Sequence, residues 1–287
     1  MTLYAACGPK GQLQIKRVPL NHQVQVEVQR LFEVQHAEFL QPDTHEIPYD
    51  GNYKPDEDEV LVLQNIQEIA QFNRAVGVNA TSFQLLDTGE IEEEDVKALF
   101  VVHLDANGAS KVLIQAFSVG QILRRKFSLI SHGNQFRRMD ESAFSLSNHL
   151  AAVVEAGSMK FRSDHTIRRF VDLREVYRIA TDDDVRGFAQ IAQFDVQDED
   201  HLLSITNNVT RRLIANIMDD QNIRAMNVTQ LTQAASATGL NLLINNGNIT
   251  IPTTKHELRE LLKFLSEDRY SGPISGQAFE SNSKRPA

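Results

Sequence analysis

The spacing of apolar residues changes along this chain, from a period of two in the first half to about 3.6 beyond residues 160–185. That change restricts it to an architecture in which sheet comes first and helices follow. Ala98 to Leu104 and Lys111 to Phe117 flank Asp105-Ala-Asn-Gly-Ala-Ser, and Asn-Gly tolerates the positive φ of a tight hairpin turn. A second hairpin is expected from His149 to Glu155 and Met159 to Arg162, around Ala156-Gly157-Ser158. The expected fold is therefore α+β. A strand-rich domain over 1–160 carries the hairpins, and a mainly helical domain over 161–287 carries one further hairpin and a polar tail.

Leu13 to Val18 alternates as a strand does, and Asn21 is placed to cap a helix running to Leu40 through Val24, Val28, Leu31 and Phe32. Val24, Val26 and Val28 also fit period two, so a strand at its start is the alternative. Residues 41–55 read as a surface loop, Val60 to Leu63 as a short strand or a helix start, Ile66 to Val76 as a helix, and Ser82 to Leu86 as a strand. Phe127 to Ile130 is expected to extend the hairpin sheet. In the second half Thr181 caps one helix, with Asp182 to Asp184 at its positive dipole end. Leu202 to Ile217 forms the next, and Val228 to Ala237 another that stops at Gly239. Leu242 to Ile244 and Ile249 to Ile251 enclose Asn245-Asn-Gly-Asn as a hairpin, and Thr254 caps a last helix to Leu265.

At 287 residues and 41% hydrophobic content the chain can bury a sizeable core. No stretch reaches the roughly 18 apolar residues that span a bilayer, and no export signal opens the sequence, which leads us to expect a cytoplasmic protein. Cys7 is the single cysteine, so an internal disulfide and a cysteine-rich zinc site are excluded. The net charge of -9 argues against coating nucleic acid with the whole surface, but the charge is uneven. Residues 41–100 hold 14 acidic against 3 basic residues, whereas 121–180 hold 11 basic against 6 acidic.

The nine histidines show no metal-ligand spacing, His103 reads as a packed or surface residue, and no phosphate-cradling glycine loop is present; no cofactor is expected. A metal-dependent nuclease would need converging carboxylates, and the runs Asp56 to Glu59, Glu92 to Asp95 and Asp182 to Asp184 are its candidates. The segment Lys160 to Arg178 interleaves arginines with Phe161, His165 and Tyr177, the pattern expected of phosphate contact with stacking. If Ser163 or Asp164 caps a helix from about residue 165, Ile167, Phe170, Val171 and Leu173 become core. The candidate DNA-contacting residues are Arg124, Arg125, Lys126, Lys160, Arg162, Arg168, Arg169, Arg174, Arg178, Lys284 and Arg285. An amphipathic segment with ordinary surface salt bridges is the competing reading.

The C-terminal segment from Leu262 to Arg285 resembles the terminal signature of the KwaB-like family, the soluble component of the Kiwa anti-phage system. A leucine-rich helix ends in an acidic residue and a tyrosine, then come a hydroxyl-Gly pair, an aromatic residue and Ser-Lys-Arg. Leu262, Leu265, Asp268, Tyr270, Ser275, Gly276, Phe279, Ser283, Lys284 and Arg285 carry the match. With the pattern from His149 to Tyr177 and the Asn-Gly hairpin before the last helix, the similarity covers residues from about 100 to the end. The resemblance implies a homodimeric defence effector that binds DNA largely without sequence preference. It also implies a membrane-embedded partner able to recruit the protein to the inner membrane, and a block of phage DNA replication or late expression. It supplies no catalytic residues. A metal-dependent nuclease and a non-enzymatic module docking on the membrane partner are the alternatives.

Overall fold

Apolar side chains on both faces of the central strands make those strands read as nearly continuous hydrophobic runs, so each face needs a cover. A computed structural model describes residues 2–49, 51, 53–89, 91–105, 107–123, 129–133, 135–138, 143–173 and 178–281. Arg124, Arg125, Lys126, Arg174, Lys284 and Arg285 lie outside the described residues. The chain divides into two compact units, 1–49 with 54–173, and 174–287 with 50–53.

The first unit comprises β1 (Leu3–Cys7), β2 (Gln14–Arg17), α1 (His22–Phe39), β3 (His45–Pro48), β4 (Glu59–Gln64), α2 (Gln67–Asn73), β5 (Val96–Leu104), β6 (Ser110–Ala116), β7 (Leu129–His132), β8 (Gln135–Arg138), β9 (Ala152–Glu155), β10 (Ser158–Phe161) and α3 (Asp164–Ile167). Eight strands form one sheet in the order β2-β1-β5-β6-β9-β10-β4-β3. The α1 helix connects its two edges. Eighteen residues give it about 27 Å, against about 34 Å for seven strand-to-strand steps, so it crosses most of one face. Val28, Phe32 and Phe39 bury there among Leu99, Val101, Leu113 and Val153. The opposite face is closed by α2 and residues 167–173. Phe100 stacks on Tyr4 at 5.2 Å and meets Phe72 edge-on at 5.1 Å, and Phe72 meets Phe170 edge-on at 5.7 Å. The buried Glu68 carboxylate accepts from Gly11 N and Asp172 N, at 3.1 and 3.0 Å. Ile167, Phe170, Val171 and Leu173 thus belong to this unit's core, which is why it runs to 173 and not to 160.

Four expectations change here. Asn21 does cap α1, its side chain accepting from Val24 N, and the strand alternative falls. The supposed loop 41–55 contains β3, which pairs in parallel with β4 at the sheet edge, where Pro48 is tolerated because an outer strand needs no donor on its free side. Ser82 to Leu86 is no strand: a 3₁₀ turn at Ala80–Ser82 is capped by Asn79, and a lone bridge joins Leu85 to Arg17. Leu129 and Ile130 pair within a separate β7–β8 ladder instead of extending the large sheet; Phe127 and Ser128 lie outside the described residues.

The second unit comprises α4 (Asp182–Ala189), β11 (Phe194–Asp195), α5 (Glu199–Ile205), α6 (Asn208–Asp219), α7 (Gln221–Ala225), α8 (Val228–Ala237), β12 (Ile244–Asn245), β13 (Asn248–Thr250), α9 (Lys255–Leu265), β14 (Arg269–Ser271) and β15 (Ala278–Glu280). The apolar faces of α4, α6 and α9 close on Val185, Phe188, Ile214, Ile217, Leu258 and Leu262. Thr181 caps α4 and Thr254 caps α9. The polar tail folds back as the β14–β15 hairpin, where a Cβ on Gly272 would stand 2.7 Å from the Phe279 ring.

The helix expected over 202–217 is two helices. The Asn207 side chain accepts from Val209 N and Thr210 N, at 3.0 and 3.1 Å, while Thr210 Oγ1 accepts from Asn207 N at 2.8 Å. This reciprocal cap starts α6 afresh. Replacing Asn207 with alanine should cost about 1 kcal/mol in a urea melt. Val209→Ala, at a site more than half exposed, should change stability by under about 0.5 kcal/mol; equal effects would remove the cap from the account.

Candidate nucleic-acid interface

The arginine-rich segment begins where β10 leaves the sheet. Arg162 follows buried Phe161, and its guanidinium donates to Phe39 O at 3.2 Å and to Glu57 O while lying 5.8 Å from the Phe39 ring centre. Both acceptors are neutral carbonyls, so its positive charge is not neutralised. Ser163 then caps α3, accepting from Thr166 N. The helix stops after one turn because Asp172 N is taken by Glu68 and Phe170 and Val171 turn into the core. The helix expected from about residue 165 is this single turn, capped by Ser163 and ending at Ile167.

Within this turn Arg168 pairs with Asp164 at 2.7 Å, a half-exposed contact worth little. Arg169 and His165 are exposed, and among the described residues the Arg169 side chain has no hydrogen-bond or ion-pair partner. A cleft of about 280 Å³ lies at the start of α3, lined by Gln35, Glu38, His149, Arg162, Ser163 and Thr166 over the apolar Phe39 and Leu150.

Two other candidates sit elsewhere. Lys160 is buried, and its ammonium hydrogen-bonds the carboxylates of Glu155 and Glu46. Burial alone would lower its pKa, but those two bonds together hold it above the usual lysine range. Its charge is neutralised inside the fold, which removes it from an external interface. Arg178 belongs to the second unit and pairs with Asp184 and Asp219. The structure therefore places Arg168 and Arg169 just after α3 and Arg162 just before its cap, and pairs Lys160 and Arg178 with carboxylates.

Sequence reasoning overlooked a polar strip along the other flank of α1. The β5–β6 register sets His103 opposite Lys111, and Lys111 reaches Glu155 on β9 at 2.8 Å. Glu33 of α1 lies 3.5 Å from His103 Nδ1, and the His36 and His103 ring centres are 6.1 Å apart. His36 Nε2 is buried with no hydrogen-bond partner. Burial, followed by the charge of Lys111, pushes its pKa below the usual histidine value, so the imidazole stays neutral. The β5–β6 hairpin held part of this signal, because its register sets His103 opposite Lys111, but the place of Glu155 depends on the long-range pairing of β6 with β9.

The nuclease candidates are engaged elsewhere. Asp184 accepts from Thr181 N in the α4 cap, Asp182 binds Arg211 at 2.5 Å, Glu94 binds Lys16, and Glu59 accepts from Asp56 N. Among the described residues no group of three or more His, Cys, Asp or Glu is arranged to hold a metal ion, and no helix is long and apolar enough to cross a membrane. No family model, characterised protein or solved structure compared with this chain matches it.

Proposed function

We propose that this chain is an anti-phage effector of the KwaB type that binds DNA through phosphate contacts with little sequence preference. It acts as a homodimer alongside a membrane-embedded partner, and blocks phage DNA replication or late expression. The reading rests on exposed Arg169 beside Arg168, with the unneutralised Arg162 at the adjacent cleft. Three cations flanking one helical turn suit a short run of phosphates, and the net charge of -9 keeps the contact local.

The test is retention of linear duplex DNA across a salt series, with and without Mg²⁺, on a gel that also reveals strand breaks. Three neutralised phosphates give a slope of log affinity against log salt of about -3. Reversing both Arg168 and Arg169 to Glu should bring it towards about -1 and lower affinity at least about tenfold at low salt. Salt-independent retention, or retention that survives both reversals, overturns the reading. A docking module is favoured by one observation: Tyr270, Ile274 and Phe279 expose apolar surface on the β14–β15 hairpin, with Ile274 99% exposed. No DNA retention, with membrane co-fractionation only when the partner is present, selects that second reading.

A further inference from the structure

We propose that the cleft beside α3 binds one nucleoside monophosphate unit, with its phosphate against Arg162, Thr166 and His149 and a guanine edge against Glu38. The proposal deepens the DNA-binding reading, and rests on it only for the source of the nucleotide: the 5′-phosphorylated end of a DNA strand, or a free nucleotide.

Size decides the class of ligand first. The cleft of about 280 Å³ falls just below the range of about 300–1,000 Å³ typical of small-molecule sites, so it has room for a single nucleotide unit at most and for no duplex. Charge decides the phosphate end. A guanidinium has five N–H donors, and Arg162 uses them on two neutral carbonyl oxygens, with its plane held near the Phe39 ring. It is thus a pre-positioned cation with donors to spare and no carboxylate partner among the described residues, so an anion gains its charge without ordering a loose side chain. Thr166 and His149 also line the cleft, and among the described residues the Thr166 hydroxyl and the His149 ring have no hydrogen-bond partner.

Glu38 decides the base. Its side chain forms no ion pair among the described residues, Arg162 included. A carboxylate only accepts, and guanine presents two adjacent donors, N1–H and the N2 amino group, that match its two oxygens. Adenine and cytosine place a ring acceptor beside their amino group, and thymine flanks one N–H with two carbonyls. A carboxylate is repelled by those acceptors, so the other three bases bind more weakly.

Calorimetric titration of the full chain with the four deoxynucleoside 5′-monophosphates and with inorganic phosphate tests this. Deoxyguanosine monophosphate should bind at least tenfold more tightly than the other three. Glu38→Gln, which exchanges an acceptor for a donor, should erase that preference. Thr166→Val should weaken binding several-fold with no change in thermal midpoint, since the hydroxyl makes no bond within the chain. Arg162 is left intact because its carbonyl contacts hold the fold. Tighter binding of a guanine-ended single strand with a 5′-phosphate than with a 5′-hydroxyl identifies strand ends as the source, and equal binding identifies the free nucleotide. No binding, equal binding of all four, or binding unchanged in both variants overturns the proposal. Nucleotide binding without duplex retention would instead overturn the DNA-binding reading and leave the cleft assignment standing.

Discussion

Replacing Phe72 with alanine is expected to destabilise the first unit by about 3–5 kcal/mol. Phe72 is fully buried and stands edge-on to Phe100 in the sheet and to Phe170 in the segment that follows α3. Its removal leaves a cavity where three rings meet, and α2 cannot collapse to fill it. Glu68 and Gln71, one turn and one residue before, are held by Gly11, Leu13 and Asp172. Denaturant melts of this variant and of Phe136→Ala, whose ring is 73% exposed, measure the difference. A loss below about 1 kcal/mol for Phe72→Ala would mean that α2 does not seal this face. Phe170 directly follows Arg169, so the variant should also loosen the arginine turn.

The same residues show what the sequence could reveal. Local chemistry was legible: Asn21, Thr181 and Thr254 cap the helices they were expected to cap, and the Asn-Gly and Ala-Gly turns close their hairpins. Distant partners were not. Lys160 and Arg162 read as neighbours of one basic segment, yet Lys160 finds Glu46 114 positions away and Arg162 finds Glu57 105 positions away. Turn-forming residues on both sides of β3 hid a strand that needs a single partner. The apolar stripe from Leu202 to Ile217 hid the break at Asn207, because α5 and α6 both bury their stripes in the same core. The strip containing His103 was missed because a lone histidine in a strand gives no signal until neighbouring strands are set in register.

That strip constrains the candidate interface from below. Lys160 and Arg162 are two residues apart, yet Lys160, within β10, is held by the carboxylates of Glu46 and Glu155 while Arg162, just past the strand end, meets only carbonyl oxygens. Among the residues of the basic stretch 121–180 whose side chains are described, Lys160, Arg168 and Arg178 are paired with carboxylates, whereas Arg162 and Arg169 are not.

Lys160→Met should cost about 3 kcal/mol at neutral pH, the lower end for breaking a buried pair because Glu46 is half exposed. The methionine fills the space but leaves Glu155, with 18% of its side chain exposed, to Lys111 alone. Burial pushes the Glu155 carboxyl up, yet the hydrogen bonds from Lys111 and Lys160 outweigh that and hold it below the ordinary value of about 4.3. A depressed carboxyl stabilises the fold above its unfolded pKa and loses that contribution as pH falls through its folded value. His36 adds a separate acid loss in both proteins: its folded pKa is depressed, so the unfolded chain binds the extra proton as pH falls below about 6.5. Because the Lys160 charge also helps to lower the His36 pKa, the difference between the two stability curves retains a small His36 part, which sets in below about pH 6.5, ahead of the Glu155 part. The gap should be full at pH 7 and shrink once the variant's carboxyl, freed of one partner, takes up its proton at a higher pH than the parent's. A gap that does not change with pH would show that the methionine acts through packing alone, and that Lys160 is not what keeps this carboxylate charged beneath α1.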